Sequence, residues 1–268
     1  MHQDIINKKN KKTHNHIMSL YLNKNGISSA KLYHHTDAVV TEVHSVSKEE
    51  AEKVTKAWPN CLRNILIISI REERLKKCKE RLGGLGVYTT VIPGVNGENL
   101  DLSILEEKGE LSHINDLNKL TRGQVGCFLA HRKAWEHLSQ SNEEYAFIIE
   151  DDCNLRPAQQ HLDLITKGIT EASKFKWDIL YIARNPALCK TRKRLGDHLV
   201  QVGKTWGLFA YVLTKKAAKE LLATSYPITG NAVDVFVSCT RKAAKLKLAI
   251  SPIPFVVTTE TSDTVGIK

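Results

Sequence analysis

Tyr145-Ala146-Phe147-Ile148-Ile149-Glu150-Asp151-Asp152 is an apolar run ended abruptly by three adjacent carboxylates. A continuous apolar run of this length reads as a strand buried on both faces. In open α/β sheets, ligands gather outside the carboxyl ends of such strands. Three acids packed there repel one another unless a cation is close, and carboxylate oxygens are what hard ions such as Mg²⁺ or Mn²⁺ accept. On these residues alone the alternative is an acidic turn that solvates the end of a strand.

Outward from that strand, apolar runs and helical patterns take turns. Ile65-Leu66-Ile67-Ile68-Ser69-Ile70 reads as a buried strand, a charged helix begins near Glu72, and Val87 to Ile92 reads as a second strand after Gly83-Gly84. The spacing then predicts a helix over Arg122 to Ser139, a helix around His161 to Phe175 and a strand over Trp177 to Ala183. Beyond these come an apolar stretch over Leu208 to Leu213 and helices over Lys215 to Ala223 and Val233 to Leu246. Alternation of this kind implies an α/β fold with a mostly parallel, twisted central sheet covered on both faces.

Before about residue 60 the character differs. Residues 1–60 form a polar, basic N-terminal extension, and residues 61–268 carry the α/β domain. A short helix is expected from Ser47 to Trp58, where Ser47 and Glu50 have capping-box spacing. The histidines of the extension (His14, His16, His34, His35, His44) have no acidic or cysteine partner at a metal-binding spacing. The extension is read as an element of assembly or localisation, with a homo-oligomer as one expected state.

The 268 residues, 42% hydrophobic and 25% charged, suffice for one large or two small domains. No apolar run approaches the roughly 18 to 20 residues that span a bilayer, so no transmembrane segment is expected. The start at Met1-His2-Gln3-Asp4 has no apolar signal core, which points to the cytoplasm. Six cysteines are scattered without a Cys-x-x-Cys pair, which argues against a zinc or redox motif and for reduced thiols, mostly in the core. A net charge of +10 permits nucleic acid, anionic membranes or acidic substrates as partners. The basic residues are dispersed and no nucleic-acid-binding pattern accompanies them, so no specific nucleic acid is expected. The clusters Lys8 to Lys12 in the tail, Lys190 to Arg194 in a loop and Arg241 to Lys247 near the end read as solvated faces.

Shortly before the acidic strand, Thr121-Arg122-Gly123-Gln124-Val125-Gly126-Cys127-Phe128-Leu129-Ala130-His131 opens a helix that places His131 and Trp135 at i, i+4 on one face. That pair reads either as a site histidine or as a core aromatic beside a hydrogen-bonded histidine. The ordered set of segments resembles glycosyltransferase family 25, the lipooligosaccharide and collagen galactosyltransferase-like group. The resemblance covers about residues 62 to 264. It begins with the strand Leu66 to Ile70 and Arg74 and continues through Ile92-Pro93-Gly94-Val95-Asn96-Gly97, which is similar to a family segment ending in Asp-Gly. Gly123 to His131 is similar to the family's Gly-x-x-Gly-Cys-x-x-Ser-His, and Ile148 to Asp152, Trp177-Asp178-Ile179-Leu180, Gly207 to Ala218 and Val233-Asp234-Val235-Phe236 follow in order. Departures are Ser69-Ile70-Arg71-Glu72 where the family has Asn-Leu-Asp-Arg, Asn96 in place of Asp, and Ala130 in place of Ser.

The resemblance implies a GT-A-type nucleotide-sugar-binding sandwich and an inverting, metal-dependent transfer of a hexose, galactose or glucose, from a UDP-sugar to a glycan or hydroxylysine-type acceptor. Charge that builds on a leaving diphosphate calls for a divalent cation such as Mn²⁺ or Mg²⁺, and the acidic strand end supplies carboxylates for it. Asp152 is the expected metal ligand with Glu150, while Glu150 or Asp151 holds ribose or donor-sugar hydroxyls, and Asp263 is a further candidate ligand. Asp234, a carboxylate in an otherwise apolar run, is the candidate catalytic base; the alternative is a helix cap or structural hydrogen bond. Arg71, Arg74, Asn96, Gly97, His131 and Lys133 are the candidate donor-side contacts. Two other readings are a non-catalytic nucleotide- or glycan-binding module of the same fold and a metal-dependent phosphoryl enzyme; the latter lacks a second acidic cluster for a two-metal site.

Overall fold

Period-two burial within an apolar strand shows where the two halves of the core lie. In a computed structural model, which describes residues 16–23, 26–36, 39–46, 60–62, 64–83, 89–112, 120–153, 159–185, 190–240 and 245–252, all five residues of the strand Ile65–Ser69 are buried. Ile65 and Ile67 face one apolar cluster, and Leu66 and Ile68 face the other. A strand covered on both sides needs no polar face, which is why it reads as a continuous apolar run. Each buried Ile or Leu contributes on the order of 1.5–3 kcal/mol relative to exposure.

Three strands come first, β1 (His16–Asn23), β2 (Gly26–Thr36) and β3 (Val39–Val46), joined as an antiparallel sheet in the order β1-β2-β3. No strand was expected there, because the segment lacks a sustained apolar period. The helix expected over Ser47 to Trp58 lies outside the described residues.

The main sheet has eight strands: β4 (Ile65–Ser69), β5 (Thr89–Pro93), β6 (Tyr145–Glu150), β7 (Ile179–Ala183), β8 (Thr191–Arg194), β9 (Leu199–Val202), β10 (Ala210–Thr214) and β11 (Lys247–Ile250), in the order β5-β4-β6-β10-β7-β11-β9-β8. The pairs β5/β4, β4/β6 and β7/β11 are parallel, while β6/β10, β10/β7, β11/β9 and β9/β8 are antiparallel. By direction, β4, β5, β6, β7, β8 and β11 all run one way and only β9 and β10 run the other, so the sheet is mostly parallel in sense although its neighbours are mixed. The α/β sandwich that the resemblance implies is the observed architecture.

Six helices complete the described fold: α1 (Glu72–Gly83), α2 (Leu102–Glu107), α3 (Arg122–Gln140), α4 (Gln159–Ala172), α5 (Lys215–Thr224) and α6 (Val233–Cys239). Residues of α3, α5 and α6 pack against one face of the sheet, those of α1 and α4 against the other. Helix α3 starts on a capping box: Gln124 N–H donates to Thr121 Oγ1 at 3.1 Å and Thr121 N–H donates to Gln124 Oε1 at 2.8 Å.

Two expectations are corrected. The helix read over Val233 to Leu246 ends at Cys239, and β11 follows at Lys247. Thr240 takes an extended backbone (φ −66, ψ 107) that closes the helix, residues 241–244 lie outside the described residues, and β11 pairs with β7 and β9. The Lys190 to Arg194 segment, read as a loop, contains the edge strand β8 with every residue exposed. Charged side chains on a sheet edge discourage further pairing, so the solvated-face reading of that cluster holds. The five described cysteines are free thiols, and Cys61, Cys78 and Cys153 are buried.

Candidate active site

The register places the acidic strand end beside two other strand termini. Ile68 of β4 is level with Glu150, Ser69 is level with Pro93 of β5, and Ala210 at the start of β10 is level with Ile149. The carboxyl ends of β4, β5 and β6 therefore share one edge with the amino end of β10. Backbone bonds clamp the acids there: Glu150 N–H donates to Phe209 O at 2.9 Å and Asp151 N–H donates to Ile68 O at 3.1 Å.

Strand alternation then splits the three carboxylates. Glu150 turns to the face covered by α3, where its Oε1 accepts from His131 Nε2 at 2.9 Å. Asp151, buried, turns the other way and its Oδ2 accepts from Ser69 Oγ at 2.6 Å. Ser69 thus holds the middle acid. Asp152 follows in a turn, and burial together with the charges of Glu150 and Asp151 pushes its carboxyl up to about 7, with Arg74 opposing the rise. Arg74, on α1, is therefore within electrostatic reach of Asp152.

His131 is fully buried, and its Nδ1 lies 2.9 Å from Tyr211 Oη. The indole Trp135 Nε1–H donates to the same Tyr211 oxygen at 3.0 Å. The Tyr211 oxygen accepts from Trp135, Nδ1 of His131 pairs with that hydroxyl, and Nε2 pairs with the Glu150 carboxylate. Burial raises the Tyr211 hydroxyl well above its ordinary value, so it stays protonated. This relay of Trp135, Tyr211, His131 and Glu150 leaves no member unsatisfied. His131 is the hydrogen-bonded core histidine of the second sequence reading, and it touches Glu150 from within the core.

Cys127, one turn before His131, donates its thiol to Glu150 Oε1 at 3.9 Å. Its thiol is pushed well up, first by burial and then by Glu150, Asp234 and Asp152. The same observation puts Asp234 electrostatically in this site. Asp234 sits in the first turn of α6, where Oδ2 accepts from Gly207 N–H at 2.9 Å and Oδ1 from Val235 N–H at 2.7 Å. Gly207 has φ +83, and a Cβ there would lie 2.5 Å from the Phe209 ring. Only glycine serves at the turn that presents its N–H to Asp234.

The two glycine-bearing segments lock together. Gly126 on α3 would place a Cβ 2.4 Å from Val95 O, and Gly97 would place one 2.4 Å from the Arg122 carbonyl. Asn96 spends its side chain accepting from Glu98 N–H at 3.0 Å, capping the short turn that follows. Asn96 and Gly97 therefore dock the loop after β5 onto the start of α3. Lys133 is exposed at the rim, its Nζ 3.4 Å from Pro93 O, and Arg71 is exposed just beyond β4. Asp263 lies outside the described residues.

Sequence reasoning missed Ser69, Cys127 and Tyr211 as site residues. Cys127 carried a signal in its i, i+4 spacing to His131, and Tyr211 carried one as the hydroxyl in an apolar strand.

Fold and site together define an α/β protein whose sheet edge presents three adjacent carboxylates. The glycosyltransferase family 25 (LPS biosynthesis protein) model matches residues 62–237, and the chain belongs to that family. A bovine relative named "Probable inactive glycosyltransferase 25 family member 3" is 29% identical over 171 residues, covering 60% of this chain and 28% of that protein. The Xenopus laevis protein named "Procollagen galactosyltransferase 1-B" is 30% identical over 120 residues, covering 42% of this chain and 20% of that protein. The chain thus spans less than a third of the length of these curated relatives. Among solved structures, the inositol-1-phosphate CTP transferase from T. maritima superposes with a TM-score of 0.40 at 12% identity, over 72% of this chain and 86% of that one.

Proposed function

We propose that this chain transfers a hexose, galactose or glucose, from a UDP-sugar to a hydroxyl of a glycan or hydroxylysine-type acceptor, with inversion at the anomeric carbon. The observation that carries the reading is Asp152, pushed up to about 7 among Glu150 and Asp151 with Arg74 opposing, at the carboxyl edge of β4, β5 and β6. Such a donor set fits a hard divalent cation, Mn²⁺ or Mg²⁺, with Asp152 and Glu150 as its protein ligands. When bound, the cation stabilises charge on the leaving diphosphate as a Lewis acid.

The chain's own residues supply the rest. The His131 relay fixes the orientation of Glu150, and Ser69 fixes Asp151 for a ribose or sugar hydroxyl. Arg74, Arg71 and Lys133 offer positive charge to phosphate oxygens. Asp234, held by the Gly207 and Val235 N–H groups, accepts the proton of the acceptor hydroxyl as its oxygen forms the new bond to the anomeric carbon. The bond from that carbon to the diphosphate oxygen breaks in the same displacement, and UDP leaves.

Calorimetric titration with UDP, with and without Mn²⁺, tests the donor site before any acceptor is known. Metal-dependent binding that disappears in Asp152→Ala supports the reading, and no UDP binding under either condition overturns it. The bovine relative's name favours a second reading, a module of the same fold that binds a nucleotide or glycan without turnover. UDP binding with no sugar release from any UDP-hexose, whatever acceptor is offered, would establish that alternative.

A further inference from the structure

Arg184 follows directly on Ala183, the last residue of β7, and is only 6% exposed. Among the described residues its guanidinium makes no ion pair and no hydrogen bond, and its buried Nε has no partner. Arg132, whose Nε is likewise buried without a partner, spends its terminal nitrogens on Glu136 at 3.2 Å and Ser225 at 2.7 Å and lies over the Tyr226 ring, whereas Arg184 has no such contacts among the described residues. A guanidinium stays charged at any pH a protein survives, so burial cannot be relieved by losing the proton. A buried cation with no counter-charge is strongly unfavourable, and it persists where something it binds supplies that charge.

The topology puts Arg184 on the active edge of the sheet. Ala183 is level with Ala210, and Ala210 is level with Ile149, so Arg184 and Glu150 leave the same edge with only β10 between them. Two interstrand spacings separate their strands, about 10 Å. Asn185 N–H donates to Trp206 O at 2.9 Å, and the next residue, Gly207, donates to Asp234. Carboxylates therefore stand on one flank of the edge and an uncompensated guanidinium on the other.

We propose that Arg184 binds a phosphate-type oxyanion of a substrate at this edge. The planar fork of N–H donors matches phosphate oxygens, which carry the charge that the guanidinium lacks. Two sources share this chemistry, the diphosphate of the nucleotide-sugar donor and a phosphate group on the acceptor. Assignment to a glycosyl-transfer substrate rests on the function proposed above; the anion site itself does not.

The test compares the full chain with Arg184→Met, which fills similar volume without charge, and with Arg184→Lys. Calorimetry with Mg²⁺ present measures UDP, uridine and inorganic phosphate, the last also at saturating UDP. If the diphosphate is the ligand, UDP affinity falls about tenfold or more in Arg184→Met, uridine affinity is unchanged and Arg184→Lys is intermediate. Unchanged UDP affinity with loss of phosphate binding at saturating UDP assigns the anion to the acceptor side. Melting separates a ligand role from a structural one: removing an unpaired buried charge leaves the free protein equally or more stable. Equal affinities of wild type and Arg184→Met for all three ligands overturn the proposal. So does a parallel loss of stability and of uridine binding. Failure of the wild type to bind UDP sinks the glycosyltransferase reading instead, while the phosphate arm still reports on Arg184.

Discussion

Burial and the neighbouring charges of Glu150 and Asp151 hold the Asp152 carboxyl near 7 instead of its ordinary 3.8. The sign of the consequence follows from linkage. Below about pH 4 the residue is protonated in folded and unfolded chains alike. Between about 4 and 7 the unfolded chain has released this proton and the folded chain keeps it, so stability contributed here declines as pH rises. Asp152→Asn should therefore raise the melting temperature of the metal-free protein at pH 8 and leave it nearly unchanged at pH 4. A cation competes with the same proton, so Mn²⁺ affinity should climb with pH up to about 7 and then level, a dependence that calorimetry at several pH values would show missing from Asp152→Asn. An affinity independent of pH between 5 and 8 would count against Asp152 as a ligand. Tyr211 makes a second residue-scale prediction. Its hydroxyl joins His131 to Trp135, and Tyr211→Phe orphans a buried imidazole nitrogen and a buried indole N–H. Denaturant unfolding should show a loss of about 1–3 kcal/mol.

Elements carry the docking of the two glycine segments. The loop of Val95 to Gly97 lies against the first turns of α3 closely enough that Gly126 meets the Val95 carbonyl. Gly126→Ala puts a methyl where backbone already stands, and backbone cannot swing aside as a side-chain tip can. A cost of about 1–3 kcal/mol is expected, with weakened UDP binding if the displaced loop belongs to the donor site; an unchanged melting temperature would show that the helix shifts freely. The same scale shows what the sequence made legible. Strands β4, β6, β7 and β10 announced themselves because burial on both faces forces an unbroken apolar run. The glycine and acidic segments were visible because special backbone and charge leave few residue types to choose from. Strand β8 is Thr191-Arg192-Lys193-Arg194, polar throughout because it lies on an edge, and β11 follows a stretch of helix-favouring residues. Their strand character comes from partners distant in sequence, which no local pattern records. Site residues followed the same rule: Glu150 and Asp152 stood out by charge, whereas Ser69 and Arg184 gain meaning only when the sheet brings strand ends together.

Across the whole molecule the site draws on both halves of the core. Glu150 is held by α3 on one face of the sheet, Arg74 comes from α1 on the other, and Asp234 comes from α6. A ligand that contacts all three cross-links elements that unfold together, so it binds only the native chain. Stability must then rise with free ligand as RT ln(1 + [L]/Kd), about 2.7 kcal/mol at one hundred times Kd. Mn²⁺ and UDP together should accordingly raise the melting temperature by more than the sum of their separate shifts, because the cation and the diphosphate share charge at one edge. The rise should persist in a chain lacking residues 1–46, since every residue named in the site lies beyond them. Thermal melts of both chains with UDP, Mn²⁺ and the pair decide the matter. Additive shifts from UDP and Mn²⁺ would mean that they occupy separate places, and a shift lost on truncation would mean that the antiparallel strands β1 to β3 help to build the site.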